Sequence, residues 1–265
     1  MFEWLLPIFG FLISIAASLT GIGGGTFIVP LLTLLYNFEP VVAIGTSSAT
    51  IVATSIASSI NYLKQRRVYV RAGLVLACVT APGGYIGAAI TAVPWVKMWL
   101  GVIFGVFLIF VAFQMVYKAL WTKPVKASAT IDPAFEKAFL KDRKRIFLGL
   151  ALSFFGGVAS GLLGIGGGVV LVPVLCYVLD FPIHFSIPTS MFIMVFTSLF
   201  GVANHLQLGN VNALYAVYLG VGSAIGSKIG ASASRRFSSK SLSFVFAAML
   251  VVASVNMILK NLQYI

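Results

Sequence analysis

Polar positions along this 265-residue chain are sparse and bunched, and the apolar stretches between them are continuous rather than striped. Dividing the chain at the polar bunches gives segments at 4–20, 26–36, 41–63, 72–92 and 97–120, then at 146–163, 169–179, 184–205, 211–231 and 242–262. Most of them are long enough to cross about 30 Å of hydrocarbon as a helix. A soluble helix of such length carries a polar face, and these carry nothing beyond Ser, Thr and Asn. The second segment of each set is too short to cross alone. It is expected to pair with the segment before it, either crossing twice or dipping in and returning, with the break at glycines whose freed backbone protein or water can satisfy. The pattern predicts an all-α integral membrane protein.

The two sets are copies of one plan. Gly21-Ile22-Gly23-Gly24-Gly25 with Val29-Pro30 downstream recurs as Gly164-Ile165-Gly166-Gly167-Gly168 with Val172-Pro173 downstream, 143 positions later. The register then continues without a gap through Phe38 and Phe181, Thr46-Ser47 and Thr189-Ser190, Thr54-Ser55 and Thr197-Ser198, Asn61 and Asn204, and Gly83 and Gly87 with Gly226 and Gly230. The chain is expected to consist of a first membrane repeat at 1–120, a linker at 121–145 and a second membrane repeat at 146–265, each repeat of about five helical segments with a glycine-broken half-helix. If the remaining segments span, each repeat crosses an odd number of times, and the second is inverted relative to the first.

Charge changes the picture by giving it a direction. With 18 basic against 6 acidic residues the net charge is +12, which in a soluble chain would point to nucleic acid. Here the basic residues sit in the short polar segments, as cytoplasmic loops require, and no aromatic-interleaved basic surface exists, so no nucleic-acid partner is expected. The turn after the third segment holds Lys64, Arg66, Arg67 and Arg71, whereas its counterpart holds Gln207, Gly209, Asn210 and Leu214. At the next turn the comparison flips: 91–96 is uncharged, and the second repeat carries Arg235, Arg236 and Lys240. The linker adds Lys123, Lys126, Lys137, Lys141, Arg143, Lys144 and Arg145. One inverted arrangement puts all three basic loops in the cytoplasm and both termini outside. Within the linker, Asp132-Pro133 and Glu136 form a helix-start pattern, and Phe135 and Phe139 lie four apart, so a short amphipathic helix is expected there. Residues 4–20 are read as a structural helix rather than a signal sequence, because no Lys or Arg precedes them and 147–163 repeats them.

Candidate chemistry is limited. None of Glu3, Glu39, Asp132, Glu136, Asp142 and Asp180 is central in an apolar segment, and there is no paired-carboxylate site, zinc motif or nucleophile elbow. No catalytic residue, metal or cofactor is expected, and Cys78 and Cys176, at non-equivalent apolar positions, are given no disulfide. The glycine clusters lack the Lys of a phosphate loop and the strand context of a dinucleotide fold. What they supply is backbone: a helix starting just after Gly23, Gly24 and Gly25, or after Gly166, Gly167 and Gly168, points unpaired N–H donors and the positive dipole end at one spot, a geometry that binds anions. The competing reading is close helix crossing, as expected for Gly222, Gly226 and Gly230 at four-residue spacing. Thr46, Ser47, Thr189 and Ser190 are placed either to donate to an oxyanion or to cap helices. Asn61 and Asn204 either meet the substrate or lock helices together. His205, beside Asn204, and His184 titrate near neutral pH or anchor the membrane interface. Lys228, in place of Tyr85, either meets an anion or snorkels to the surface.

The doubled Gly-Ile-Gly-Gly-Gly with Val-Pro downstream, at 21–30 and 164–173, and the Thr-Ser pairs at 46–47 and 189–190 resemble the sulfite exporter TauE/SafE family, also called the toluene sulfonate uptake permease family. The resemblance covers essentially the whole chain. It implies movement of sulfite, sulfoacetate or another organosulfonate across the bacterial cytoplasmic membrane. The expected partners are a small anion and the lipid bilayer, and the expected mechanism is alternating access; an anion channel, a membrane-embedded enzyme and a scaffold are the rivals.

Overall fold

A computed structural model describes residues 3–121, 143–233, 247 and 250–259, and among these every regular element is a helix. A 3₁₀ turn (Glu3–Leu5) leads into α1 (Leu6–Thr20). After the first glycine cluster α2 (Gly25–Pro30) passes directly into a π turn (Leu31–Leu35), followed by α3 (Pro40–Lys64), α4 (Val70–Ile90) and α5 (Pro94–Trp121). The second set is α6 (Arg143–Leu163), α7 (Gly168–Pro173) with a π turn (Val174–Val178), α8 (Ile183–Gln207) and α9 (Ala213–Ala233); the described helix α10 is Leu250–Leu259. Six of the described helices are long and apolar enough to cross a membrane. The helix expected within the linker lies outside the described residues.

The bounds of α2, its π turn, α3 and α4 recur 143 positions later in α7, its π turn, α8 and α9. Backbone strain recurs too. Asn37 and Asp180 share φ values of 54° and 55°, and Arg66 and Gly209 share 52° and 69°. Few residues other than glycine occupy that region, so its return in register reflects one local plan used twice.

Proline explains the π turns. Pro30 and Pro173 bring no N–H to the helix, so the bonding slips to a longer step; Leu179 N–H donates to the Val174 carbonyl, five residues back, at 3.0 Å. A third proline, Pro188 inside α8, withdraws the donor owed to the His184 carbonyl. Arg67 fills the gap: it is 7% exposed, donates from Nη2 to His184 O at 3.0 Å, and lies 5.4 Å over the Tyr62 ring. The counterpart of Pro188 is Gly45, which keeps its N–H, and the counterpart of Arg67 is Asn210. The charge contrast between these turns thus has a structural cause in the packing.

Each half begins with a hairpin. Tyr215 donates from its hydroxyl to Glu3 at 3.1 Å, and its ring meets Tyr36 and Phe38 with centroids 5.4 and 4.8 Å away. The start of α1 and the end of the first π turn therefore share one end of the bundle. In the second half Arg145, early in α6, pairs with Asp180, just past the second π turn. The rings of Phe181 and Phe185 lie 4.9 and 5.4 Å from Tyr69 at that end. The equivalent helices α3 and α8 run antiparallel: Gly45, early in α3, adjoins His205, late in α8, while Tyr69 N–H, just past α3, donates to Thr189 Oγ1, early in α8, at 3.1 Å. The two hairpins therefore enter the bundle from opposite ends.

Small residues let the hairpins in. α1 lies along α9, where Pro7, Phe11 and Ile15 press their backbones on Gly222, Gly226 and Gly230; a Cβ on Gly230 would sit 2.5 Å from the Ile15 carbonyl oxygen. α6 lies along α4 in the same way, with Gly157 and Gly161 against Thr80 and Gly84. Where lipid tails are as apolar as leucine, contact of this kind rather than hydrophobic exclusion holds helices together. The outward face bears Phe113, Phe147, Phe155 and Val217, each at least 60% exposed, as suits a surface solvated by hydrocarbon.

Candidate functional site

The hairpin tips meet inside the bundle. A Cβ on Gly25, the first residue of α2, would lie 2.7 Å from Ile165 Cα and overlap the Gly164 carbonyl oxygen; one on Gly168, the first residue of α7, would lie 3.0 Å from the Gly21 carbonyl carbon. The residues before them, Gly24 and Gly167, hold φ of 85° and 82°, a conformation that costs glycine nothing and turns the chain sharply into each half-helix. The glycine clusters thus serve close approach and sharp turning together.

Helical bonding begins late at both tips. The first backbone donors are Phe27 and Ile28 to Gly24 O, and Val170 and Leu171 to Gly167 O, at 2.9–3.0 Å. The amides of Gly25 and Thr26, and of Gly168 and Val169, have no acceptor among the described residues. The Thr26 hydroxyl, fully buried, is also without a partner there. Sequence reasoning passed over Thr26. Its signal was available: it is the one polar residue in the first turn of either half-helix, and its counterpart is Val169. Met194 fills the space between the tips, its Cε 2.5 Å from where a Cβ on Gly166 would stand and its Sδ 3.5 Å from one on Gly23. Ile51, its counterpart, also borders Gly166, and both side chains are fully buried.

The Thr-Ser pairs brace the tips from the other half. Ser47 donates to Gly164 O at 2.8 Å, and Ser190 reaches Gly21 O at 3.5 Å while donating within its own helix to Ile187 O at 2.8 Å. Thr46 accepts from Asn212 N–H at 3.0 Å, the same role that Thr189 has for Tyr69. Losing the Ser47 hydroxyl would strip a buried carbonyl of its donor, so Ser47→Ala is expected to destabilise the protein by ~1–3 kcal/mol. Ser190→Ala should cost less, because its cross-half bond is long. Thermal unfolding in detergent reads the difference, and equal losses would show that the hydroxyls do not brace the tips.

The other predicted residues lie elsewhere. Asn61 is at the far end of α3, where Nδ2 donates to Lys228 O and Ser232 Oγ, both at 2.8 Å, and joins α3 to α9. Asn204 is buried, with an Oδ1 that has no partner among the described residues. His205, fully buried, has Nε2 at 3.0 Å from the Gly161 carbonyl, matching Tyr62, whose hydroxyl donates to Ser18 O at 2.7 Å. Lys228 is exposed on α9 and does not reach the tips. Among the described residues the carboxylates are at helix ends, where Glu39 pairs with Lys97 at 2.8 Å, and none is at the tips.

The arrangement can hold a small anion. Unpaired amides at two helix starts, the positive ends of two helix dipoles and a buried hydroxyl all favour negative charge, and a site closed off from water strengthens each of them.

Comparison with known proteins agrees in kind. The sequence model of the sulfite exporter TauE/SafE family matches residues 6–257. The chain is 31% identical to the probable membrane transporter protein YunE of Bacillus subtilis, over 97% of this chain and 98% of that protein. It is 26% identical to a probable membrane transporter protein of Methanocaldococcus jannaschii, over 96% and 95%. A probable membrane transporter protein of Haemophilus influenzae is 29% identical, over 98% of this chain and the whole of that protein. No solved structure matches. A helical bundle with six spans of sufficient length, two glycine-tipped hairpins meeting within it and a family match from end to end lead to one conclusion: this chain is a multi-pass membrane transporter and belongs to the sulfite exporter TauE/SafE family.

Proposed function

We propose that the protein carries a small sulfur oxyanion, sulfite or an organosulfonate such as sulfoacetate, across the bacterial cytoplasmic membrane by alternating access. The observation that carries this reading is the meeting of the two hairpin tips, with the amides of Gly25, Thr26, Gly168 and Val169 unpaired around the buried Thr26 hydroxyl. The ligand set is Gly23, Gly24, Gly25 and Thr26 from one tip and Gly166, Gly167 and Gly168 from the other, with Ser47 and Ser190 fixing the tips from behind. Thr46 and Thr189 anchor the next helices, Asn61 holds α3 to α9, and Asn204 and His205 lie in the layer behind the tips. The orientation is the one with basic loops in the cytoplasm and both termini outside. The two halves rock about a pseudo-two-fold axis, and Met194 and Ile51 close the passage between them.

Proteoliposome flux over a panel of sulfite, sulfoacetate, methanesulfonate, thiosulfate, sulfate and chloride tests the reading. Saturable uptake and counterflow are expected for sulfite or a sulfonate. Gly24→Val and Gly167→Val should lose that flux, because each forces a branched side chain into a left-handed turn at φ of 85° and 82°. Unsaturable flux without counterflow would identify a channel, and full flux in both variants would move the anion site elsewhere.

A further inference from the structure

His205 sits on a polar position that only half uses what a histidine offers. A carbonyl only accepts, so the contact of Nε2 with Gly161 O at 3.0 Å places the proton of the neutral ring on Nε2 and leaves Nδ1 as a bare lone pair. That atom is buried and has no partner among the described residues. Structure alone does not call for a second nitrogen here. At the equivalent place in the first half Tyr62 makes the matching bond to Ser18 O with a single hydroxyl and leaves nothing unsatisfied. An orphaned acceptor in an apolar interior costs free energy, and burial also disfavours the charged ring, so a proton is taken up there only when the carrier opens to bulk and an anion stands at the tips to offset the charge.

The surroundings isolate this nitrogen. Of the elements packed on α8, α1 and α7 carry no charged or titratable side chain. α3 has Tyr62, its hydroxyl on Ser18 O, and Lys64 at the end remote from Gly45, and α4 has an exposed Cys78 and Arg71 towards the end remote from its Tyr85, whose hydroxyl is on Gln207 Oε1 at 2.8 Å. α6 has Lys144 and Arg145 at its start, far from Gly161, and Cys176 and Tyr177 belong to the π turn that leads to the opposite end of α8. Glu39, before α3, is half-exposed and paired with Lys97. Among the described residues His205 is the one fully buried histidine. Its ring is on Gly161, three residues before the Gly164 carbonyl that Ser47 holds, and its Cβ is 3.3 Å from where a Cβ on Gly45 would stand, one residue before Thr46. The layer that braces the α6–α7 tip therefore contains the ring.

We propose that His205 carries the proton with which anion transport is coupled, a reading that rests on the transport function above. Nδ1 takes a proton from the bulk on the side to which the carrier is open, while Nε2–H stays on Gly161 O. The imidazolium faces the negative end of the α6 dipole, and with a singly charged sulfonate bound at the tips the pair is neutral overall. Its passage through the low-dielectric interior then costs less than passage of the anion alone. The proton leaves from Nδ1 to bulk water after the halves have turned.

The experiment reads anion uptake and internal pH together in proteoliposomes, with methanesulfonate and thiosulfate, whose charges are fixed near neutral pH, so any accompanying proton travels on the protein; sulfite is run in parallel. His205→Tyr reproduces the Tyr62 arrangement, and His205→Gln, smaller, also keeps a donor for Gly161 O; neither titrates near neutral pH. The expected result is a proton signal accompanying anion uptake in the wild type and lost in both variants, with anion-for-anion exchange retained. A variant that moves as many protons per anion as the wild type overturns the proposal. Wild-type vesicles that move anion without a proton overturn the coupling and leave the transport reading standing, whereas vesicles that move none of the three anions overturn both. Loss of exchange in folded variants would make His205 a substrate ligand and overturn its role as proton carrier.

Discussion

Gly25→Ala is expected to reduce anion flux by about 100-fold, the scale on which roughly an ångström of misplacement acts in a positioned site. The added methyl would lie 2.7 Å from Ile165 Cα and overlap the Gly164 carbonyl oxygen. Both obstacles are backbone, so no side chain can swing away, and the hairpin tips must separate. Overpacking of this kind also costs stability, ~1–3 kcal/mol, which thermal unfolding would register. The control is Gly220→Ala, where the new methyl meets only Ala53 Cβ at an ordinary 3.6 Å, and it should transport as the wild type does. Wild-type flux from folded Gly25→Ala protein would show that the passage does not run between the tips.

The second large effect is on folding. Gly226→Leu is expected to destabilise the protein by at least about 3 kcal/mol and to lower the recovery of folded protein from membranes. Its Cβ would stand 2.9 Å from the Phe11 carbonyl carbon, on the line where α1 and α9 touch backbone to backbone. No rotamer places a leucine there without parting the helices. Ile225→Leu, one residue away and 56% exposed to the surrounding lipid, should be nearly neutral. Equal stability of the two variants would mean that α1 and α9 do not depend on close approach. Because the first hairpin is held in place by this contact, the packing defect and the transport defect belong to one structure: a tip delivered to the centre by a helix that rides on glycines.

Much of this was legible beforehand. The all-helical class, the segment positions, the repeat and the close-packing role of Gly222, Gly226 and Gly230 follow from hydropathy and spacing, because a helix in hydrocarbon must satisfy its own backbone and reveals itself by length and apolarity. The glycine clusters, too, were visible as places where the chain turns. The roles of single polar side chains were harder to read. Thr46, Ser47, Thr189 and Ser190 left two readings open, and Ser47 is bonded to a carbonyl 117 residues away, a partner that no local pattern names. Arg67 reads as one more positive-inside charge until the gap left by Pro188 is seen beside it. Thr26 is an ordinary threonine in sequence, and its unpaired hydroxyl is a property of what surrounds it.

By itself the sequence determined that this chain lives in a membrane, that it is built twice on one plan, and that each copy breaks at a glycine cluster, since each of these depends on composition and period alone. Only the tertiary structure decided that each short segment returns with its predecessor to one end of the bundle, that the two hairpins enter from opposite ends, and that their tips touch. The reason is physical. Apolarity specifies that a segment leaves water but not which helix it lies against, and in hydrocarbon that choice falls to backbone contact and to hydrogen bonds between residues far apart in the chain.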